Sequence, residues 1–134
     1  MARFDAKSLR TVQDFGGALS LVPVEGPDGS FTFIFEKMGT LTLVASGEDR
    51  LGAEGPIMIS LARTPGRVDG RLMEALFAAA GYESQSNLSI HAGLARDGSA
   101  ILTLAVPRDR FDLSTLEGGI DRLSALFDKV QANA

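Results

Sequence analysis

The chain has 134 residues, 45% of them hydrophobic and 22% charged, with 15 glycines scattered along it; this balance fits one globular domain over residues 1–134 and excludes a disordered or low-complexity chain. A formal charge of -4 with no run of like charges argues against a nucleic-acid partner or an anionic membrane surface. One His (His91) and no Cys exclude the usual nucleophile–base pairs and the nitrogen or sulfur metal sites within one subunit.

Asp5, Lys7, Arg10 and Asp14 interrupt the first 20 residues, so no signal-peptide apolar core lies there. No segment approaches the roughly 18 apolar residues that span a bilayer. The expected compartment is the cytoplasm, without membrane insertion.

Leu9, Val12 and Phe15 recur at steps of three within Lys7 to Ala18 and predict a short amphipathic helix, with Gly16 and Gly17 marking a frayed end. Gly26-Pro27-Asp28-Gly29 is a turn, and the aromatic and β-branched run Phe31 to Phe35 after it predicts a strand. Met38-Gly39 turns the chain into a second strand, Leu41 to Val44, completing a hairpin. Ser46 to Pro56 is an exposed acidic loop before a third strand, Ile57 to Leu61.

After the Thr64-Pro65-Gly66 turn, Leu72 to Ala80 predicts a helix with Asp69 as N-cap and Gly81 just past its end. Glu74 is the one polar residue in that stretch. A helix apolar all round needs cover on more than one side. One sheet supplies one cover, and a second subunit is expected to supply the other, with Leu72, Met73, Leu76, Phe77 and Ala80 as candidate dimer-interface residues; burial inside the monomer alone is the alternative.

Leu88 to Ala92 and Ala100 to Val106 flank Arg96-Asp97-Gly98-Ser99, an Asp-Gly hairpin signal, and Pro107 stops the second of these strands. Ser114-Thr115-Leu116-Glu117 fits a capping box opening a last helix, which carries Leu116, Ile120, Leu123, Phe127 and Val130 on one stripe. Gly118 and Gly119 weaken its first turns by about 1 kcal/mol each relative to Ala, so fraying is expected there.

Period-2 alternation sorts the five strands onto two faces. One holds Phe31, Phe33, Phe35, Leu41, Leu43, Ile57, Ile59, Leu61, Leu88, Ile90, Leu102, Leu104 and Val106, which is core throughout. The other mixes Thr32, Thr42, Ser60, Ser89, His91 and Thr103 with Ile34, Val44, Met58 and Ile101. Those last four are the candidate partner-binding residues, an apolar patch for another chain; a dimer mate or the chain's own helix is the alternative cover.

Helix, three strands, helix, two strands, helix, in an acidic chain of this length, resembles the small class I type III secretion chaperones, the group that includes the Tir chaperone. The best-matching parts are Asp28-Gly29 leading into Phe31 to Phe35, the Leu72, Leu76 and Phe77 helix ending near Gly81, the hairpin about Asp97-Gly98 and the closing Leu-rich helix. The resemblance implies an α+β fold, an antiparallel sheet with helices packed on it. It also implies a homodimer paired through the second helix that holds the N-terminal region of a secreted effector in extended form, with no cofactor or nucleotide.

The remaining polar residues read more simply as structure than as chemistry. His91 has no second ligand near it in sequence, and Glu48, Asp49 and Glu54 lack the ordered spacing of a calcium loop. Gly26, Gly29, Gly52 and Gly55 open no helix in a phosphate-binding pattern. Three classes of function compete: a secretion chaperone, a small dimeric regulatory or adaptor domain with a non-secreted partner, and an enzyme, which would need a polar constellation in a pocket. The residues supply a dimer surface and a client surface, not that constellation.

Overall fold

The computed structural model of the chain describes residues 4–46, 55–63, 74–76, 78, 81–83, 88–95 and 97–132. Strands β1 (Val24–Glu25), β2 (Phe31–Phe35), β3 (Gly39–Ala45), β4 (Ile57–Arg63), β5 (Gly81–Glu83), β6 (Leu88–Leu94) and β7 (Ala100–Val106) make one antiparallel sheet in the order β1-β2-β3-β4-β7-β6-β5. An opening helix, Ala6–Ala18, precedes the sheet strands, and a 3₁₀ turn, Arg108–Arg110, leads into the closing helix, Leu113–Ala132. Residues 74–76 and 78 are helical. The α+β architecture expected from the sequence is the one observed.

One face of the sheet carries the core. Phe33, Leu41, Leu43, Ile57, Ile59, Leu61, Leu102, Leu104 and Val106 are buried there against Val12 and Phe15 of the opening helix and Leu116, Ile120, Leu123, Phe127 and Val130 of the closing helix. Each such side chain contributes about 1.5–3 kcal/mol of transfer free energy when fully buried. Phe31 and Phe35, expected in the same core, are only half-buried at its margin. They sit on β2, next to the edge, where less of the sheet is covered.

Several local expectations are corrected. Gly16 lies inside the opening helix, where a Cβ would stand 2.8 Å from the Leu21 carbonyl oxygen and 3.3 Å from the Phe33 ring. The helix ends instead in a Schellman turn: Leu21 N–H donates to Gly16 O at 2.9 Å, Ser20 N–H to Gly17 O at 3.2 Å, and Ser20 takes φ 55°. The closing helix is capped by Asp112, whose Oδ1 accepts the Thr115 N–H at 2.7 Å, so Ser114 is a helical residue and not the cap. That helix runs unbroken through Gly118 and Gly119, because Gly119 is where it meets the sheet: a Cβ there would stand 3.0 Å from Leu104 Cδ2 and 3.5 Å from Ile59 Cδ1. Gly81 belongs to β5 rather than to a helix end. Asp69 and most of the acidic loop, residues 47–54, lie outside the described residues.

Two arginines tie the layers together. Arg63, at the end of β4, donates from Nε to Met38 O at 2.6 Å, from Nη1 to Asp128 Oδ1 at 2.7 Å and from Nη2 to Ser124 Oγ at 2.8 Å, with its guanidinium 5.1 Å from the Phe127 ring centre. Arg108 donates to Gly55 O at 2.8 Å and Ser46 O at 3.1 Å, holding the base of the β3–β4 loop.

Candidate functional site

The sheet face away from the core shows where the four candidate partner residues lie. Backbone register aligns Ile34, Thr40, Ala62 and Ile101 in one row across β2, β3, β4 and β7. Val44, Met58 and Ala105 form another. Between them runs a polar row of Thr32, Thr42, Ser60, Thr103 and His91. Ser60 Oγ and Thr103 Oγ1 are 2.9 Å apart and Thr32 Oγ1 and Thr42 Oγ1 3.5 Å apart. Strand spacing puts Ile34 and Ile101 roughly 14 Å apart, and the two apolar rows are separated by about 13 Å along the strands. The fold therefore brings Val44 beside Met58 but leaves Ile34 and Ile101 apart from them and from each other. All but Ile34 are half-buried.

Of the candidate dimer-interface residues, Leu76 is fully buried within the protomer as part of the core. Its side chain is covered without a second subunit. Glu74 and Ala78 are exposed and Ala75 half-buried, so these positions have a covered and an open side. Leu72, Met73, Phe77 and Ala80 lie outside the described residues.

Exposed apolar surface gathers instead at the β1–β2 edge. Among the described residues the exposed large apolar side chains are Leu19 (45% exposed), Val22 (92%), Val24 (61%), Ile34 (70%) and Leu94 (56%), and four of these five lie between positions 19 and 34. Val24 pairs with Thr32, so Val24 and Ile34 share the face away from the core. β1 covers β2 only at Thr32 and Phe31, and among the described residues no strand lies beyond Phe33 to Phe35 on that side.

The edge is held in place by its turn. Gly26 N–H donates to Ser30 O at 2.9 Å, Gly29 takes φ 81°, and Asp28 Oδ1 accepts from Ser30 Oγ at 2.6 Å and Ser30 N–H at 3.1 Å. The Ser30 hydroxyl first and its N–H second hold the Asp28 carboxyl below the ordinary Asp range. Behind the turn is a cavity of about 340 Å³ lined by Phe4, Leu9, Phe31 and the turn itself. On the core side of the edge a groove of about 230 Å³ opens between three elements: Phe15, Ala18 and Leu19 of the opening helix and its end, Phe35 and Met38 of the β2–β3 hairpin, and Glu117, Ile120 and Asp121 of the closing helix. Phe15, which lines the groove, packs edge-on against Phe33 at 5.1 Å between ring centres.

Of these residues the alternation pattern alone identifies Ile34. Val22 and Val24 flank Pro23 just before the Gly26 turn, and an apolar pair about a proline, with no periodic partner, is the signature of an edge strand. Among the described residues no three His, Asp or Glu side chains come together as a metal site. His91 is an exposed strand residue opposite Thr103.

Two solved structures with this architecture are of chaperone complexes. A chain of the HopA1–SchA chaperone–effector complex superposes with a TM-score of 0.60 at 19% identity, over 96% of this chain and 96% of that one. A chain from the crystal structure of the Yersinia pestis type III secretion chaperone SycH in complex with a stable fragment of YscM2 superposes with a TM-score of 0.57 at 14% identity, over 95% of this chain and 99% of that one. No family model and no curated protein matches the sequence. At these identities the likeness is one of fold, and it extends over nearly the whole chain.

Proposed function

We propose that the chain is a cytoplasmic secretion chaperone of the class I type, in the group of the Tir chaperone. As a single domain it pairs into a homodimer and holds an apolar stretch from the N-terminal region of an effector in extended form. The observation that carries this is the exposure of Val24 and Ile34 on the open face of a thinly covered sheet edge, with Leu19 in an apolar groove on the other side of that edge. The fold it shares with chains from two chaperone–partner complexes supports it.

An extended client fits this edge for a geometric reason. Successive side chains of a strand point to opposite faces. A segment laid along β2 beyond β1 would set one row of side chains over Val24 and Ile34 and the other toward Leu19, Phe35 and Met38. Its backbone would add to the sheet edge while its side chains filled surfaces already formed. Burying a few hundred Å² in this way yields about 25 cal/mol per Å² before the cost of ordering the client, so useful affinity needs several such contacts along one client. Reversible holding of that kind keeps the client's apolar segment from its own folding and from aggregation.

The dimer rests on the composition of Leu72 to Ala80. With Leu76 covered within the protomer, the pairing surface is assigned to Leu72, Met73, Phe77 and Ala80. Sedimentation equilibrium at micromolar protein should return twice 14.1 kDa; the single mass contradicts the dimer. For the client, affinity capture from the native cytoplasm identifies the partner, and its N-terminal fragment is then titrated calorimetrically against the wild type and the Val24→Thr/Ile34→Thr double variant. A loss of about tenfold or more in affinity, about 1.4 kcal/mol, is expected with an unchanged melting temperature. Unchanged affinity contradicts the edge as the client site.

A further inference from the structure

The groove beside the edge is apolar on its floor and acidic at its rim. Phe15, Leu19, Phe35, Met38 and Ile120 line it together with Glu117 and Asp121, and no Lys or Arg is among its described lining residues. Glu117 and Asp121 stand one helical turn apart on the closing helix, both exposed, on either side of Ile120 in the sequence. Neither makes an ion pair with a described residue. Glu36 and Lys37, both exposed, line the neighbouring cavity at the hairpin end, which shares Phe35 with the groove and also contains Arg63 and Asp128, and Glu25 lines the cavity behind the Gly26 turn.

At about 230 Å³ the groove is smaller than the roughly 300–1,000 Å³ of small-molecule sites, so it suits one inserted side chain. We infer that the groove selects a client segment in which a large apolar residue, seated between Phe15, Phe35 and Ile120, is flanked by Lys or Arg reaching Glu117 and Asp121. This rests on the proposed client-binding edge and adds the chemistry of the segment it prefers. The carboxylates would contribute discrimination more than affinity, because rim-exposed pairs are weak and salt-screened while a like charge held at the same place is repelled.

The test uses three fluorescein-labelled peptides with identical Leu and Val positions and Lys, Gln or Glu on both sides of a central Leu. Binding is followed by fluorescence anisotropy to the wild type and to the Glu117→Gln/Asp121→Asn double variant. In about 50 mM salt the Lys peptide should bind about three- to tenfold more tightly than the Gln peptide, and the Glu peptide should bind most weakly. The double variant, and about 0.5 M salt on the wild type, should each bring the Lys and Gln peptides to within about twofold while leaving Gln-peptide binding unchanged. Equal binding of all three peptides to the wild type, or a preference for Lys that survives the double variant, overturns the inference and leaves the client edge standing. Failure of every peptide to bind overturns both.

Discussion

Ile59 on β4 and Ile34 on β2 are the same side chain in the same kind of strand, yet the first is 0% exposed and the second 70%. What separates them is cover. Ile59 faces the closing helix at Gly119, where the missing Cβ lets helix and sheet close to contact, and its neighbours Leu43 and Leu104 on the flanking strands are buried with it. Ile34 faces the other side, on a strand whose outer flank has only a two-residue partner. Apolar area at the centre of the sheet therefore stabilises the fold, whereas Val24 and Ile34 at the β1–β2 edge leave most of their apolar area uncovered within the chain. The two regions should respond to mutation independently.

The sharpest way to break that contrast is at the centre. Ile59→Ala removes buried methyl and methylene groups and leaves a cavity, and should cost about 2–5 kcal/mol by chemical denaturation; a loss below about 0.5 kcal/mol would mean that the helix does not cover β4. Next in size, Gly39→Ala should cost on the order of 1–3 kcal/mol. Gly39 takes φ 120°, and a Cβ there would collide with the Ala62 carbonyl oxygen. Ser in its place should be as damaging, since the strain lies in the backbone.

Acid should have a smaller, distributed effect. Asp28, Asp97 and Asp112 all have carboxyls held below the ordinary value of 3.8: Asp28 mainly by the Ser30 hydroxyl, Asp97 and Asp112 mainly by the N–H of Ser99 and of Thr115. A depressed folded-state value contributes stability that is present above the unfolded value and is lost as pH falls through the folded one. The melting temperature should therefore fall as pH drops below about 4, and Asp112→Asn should flatten that fall. The smallest change in stability is expected at the edge, where Val24→Thr/Ile34→Thr should stay within about 0.5 kcal/mol of wild type. A large loss there would show that the edge serves the fold.

Long periodic segments were legible in the sequence because their side chains repeat with the geometry of the element: the opening and closing helices, β2, β3, β4, β6 and β7 all stand where alternation or helical spacing put them. Two strands were not. β1 has two residues, too few to show a period, and β5 begins at Gly81, which in sequence looks the same as a residue ending a helix. The Ser114–Glu117 capping box was a true pattern in the wrong place; Asp112 caps first, and Glu117 lies instead at the rim of the groove. Of the candidate site, alternation assigned Ile34 to the open face. It could not show that the hydroxyl row of Thr32, Thr42, Ser60 and Thr103 divides that face, because cross-strand register depends on loop lengths. Nor could it show that Val24 joins Ile34 on the open face while Leu19 lines the groove on the core side, which follows from the pairing of Val24 with Thr32 and the turn at Gly16 to Leu21.

Hydrogen–deuterium exchange, read by mass spectrometry on the protein alone and bound to its captured client fragment, decides whether the client sits on the β1–β2 edge. New protection should fall on Leu19 to Met38 and on the start of the closing helix around Glu117 to Asp121, with the already slow amides of β4 and β7 unchanged. Protection of the open-face rows around Val44, Met58 and Ile101, with the β1–β2 edge still exchanging at its free rate, would contradict that placement.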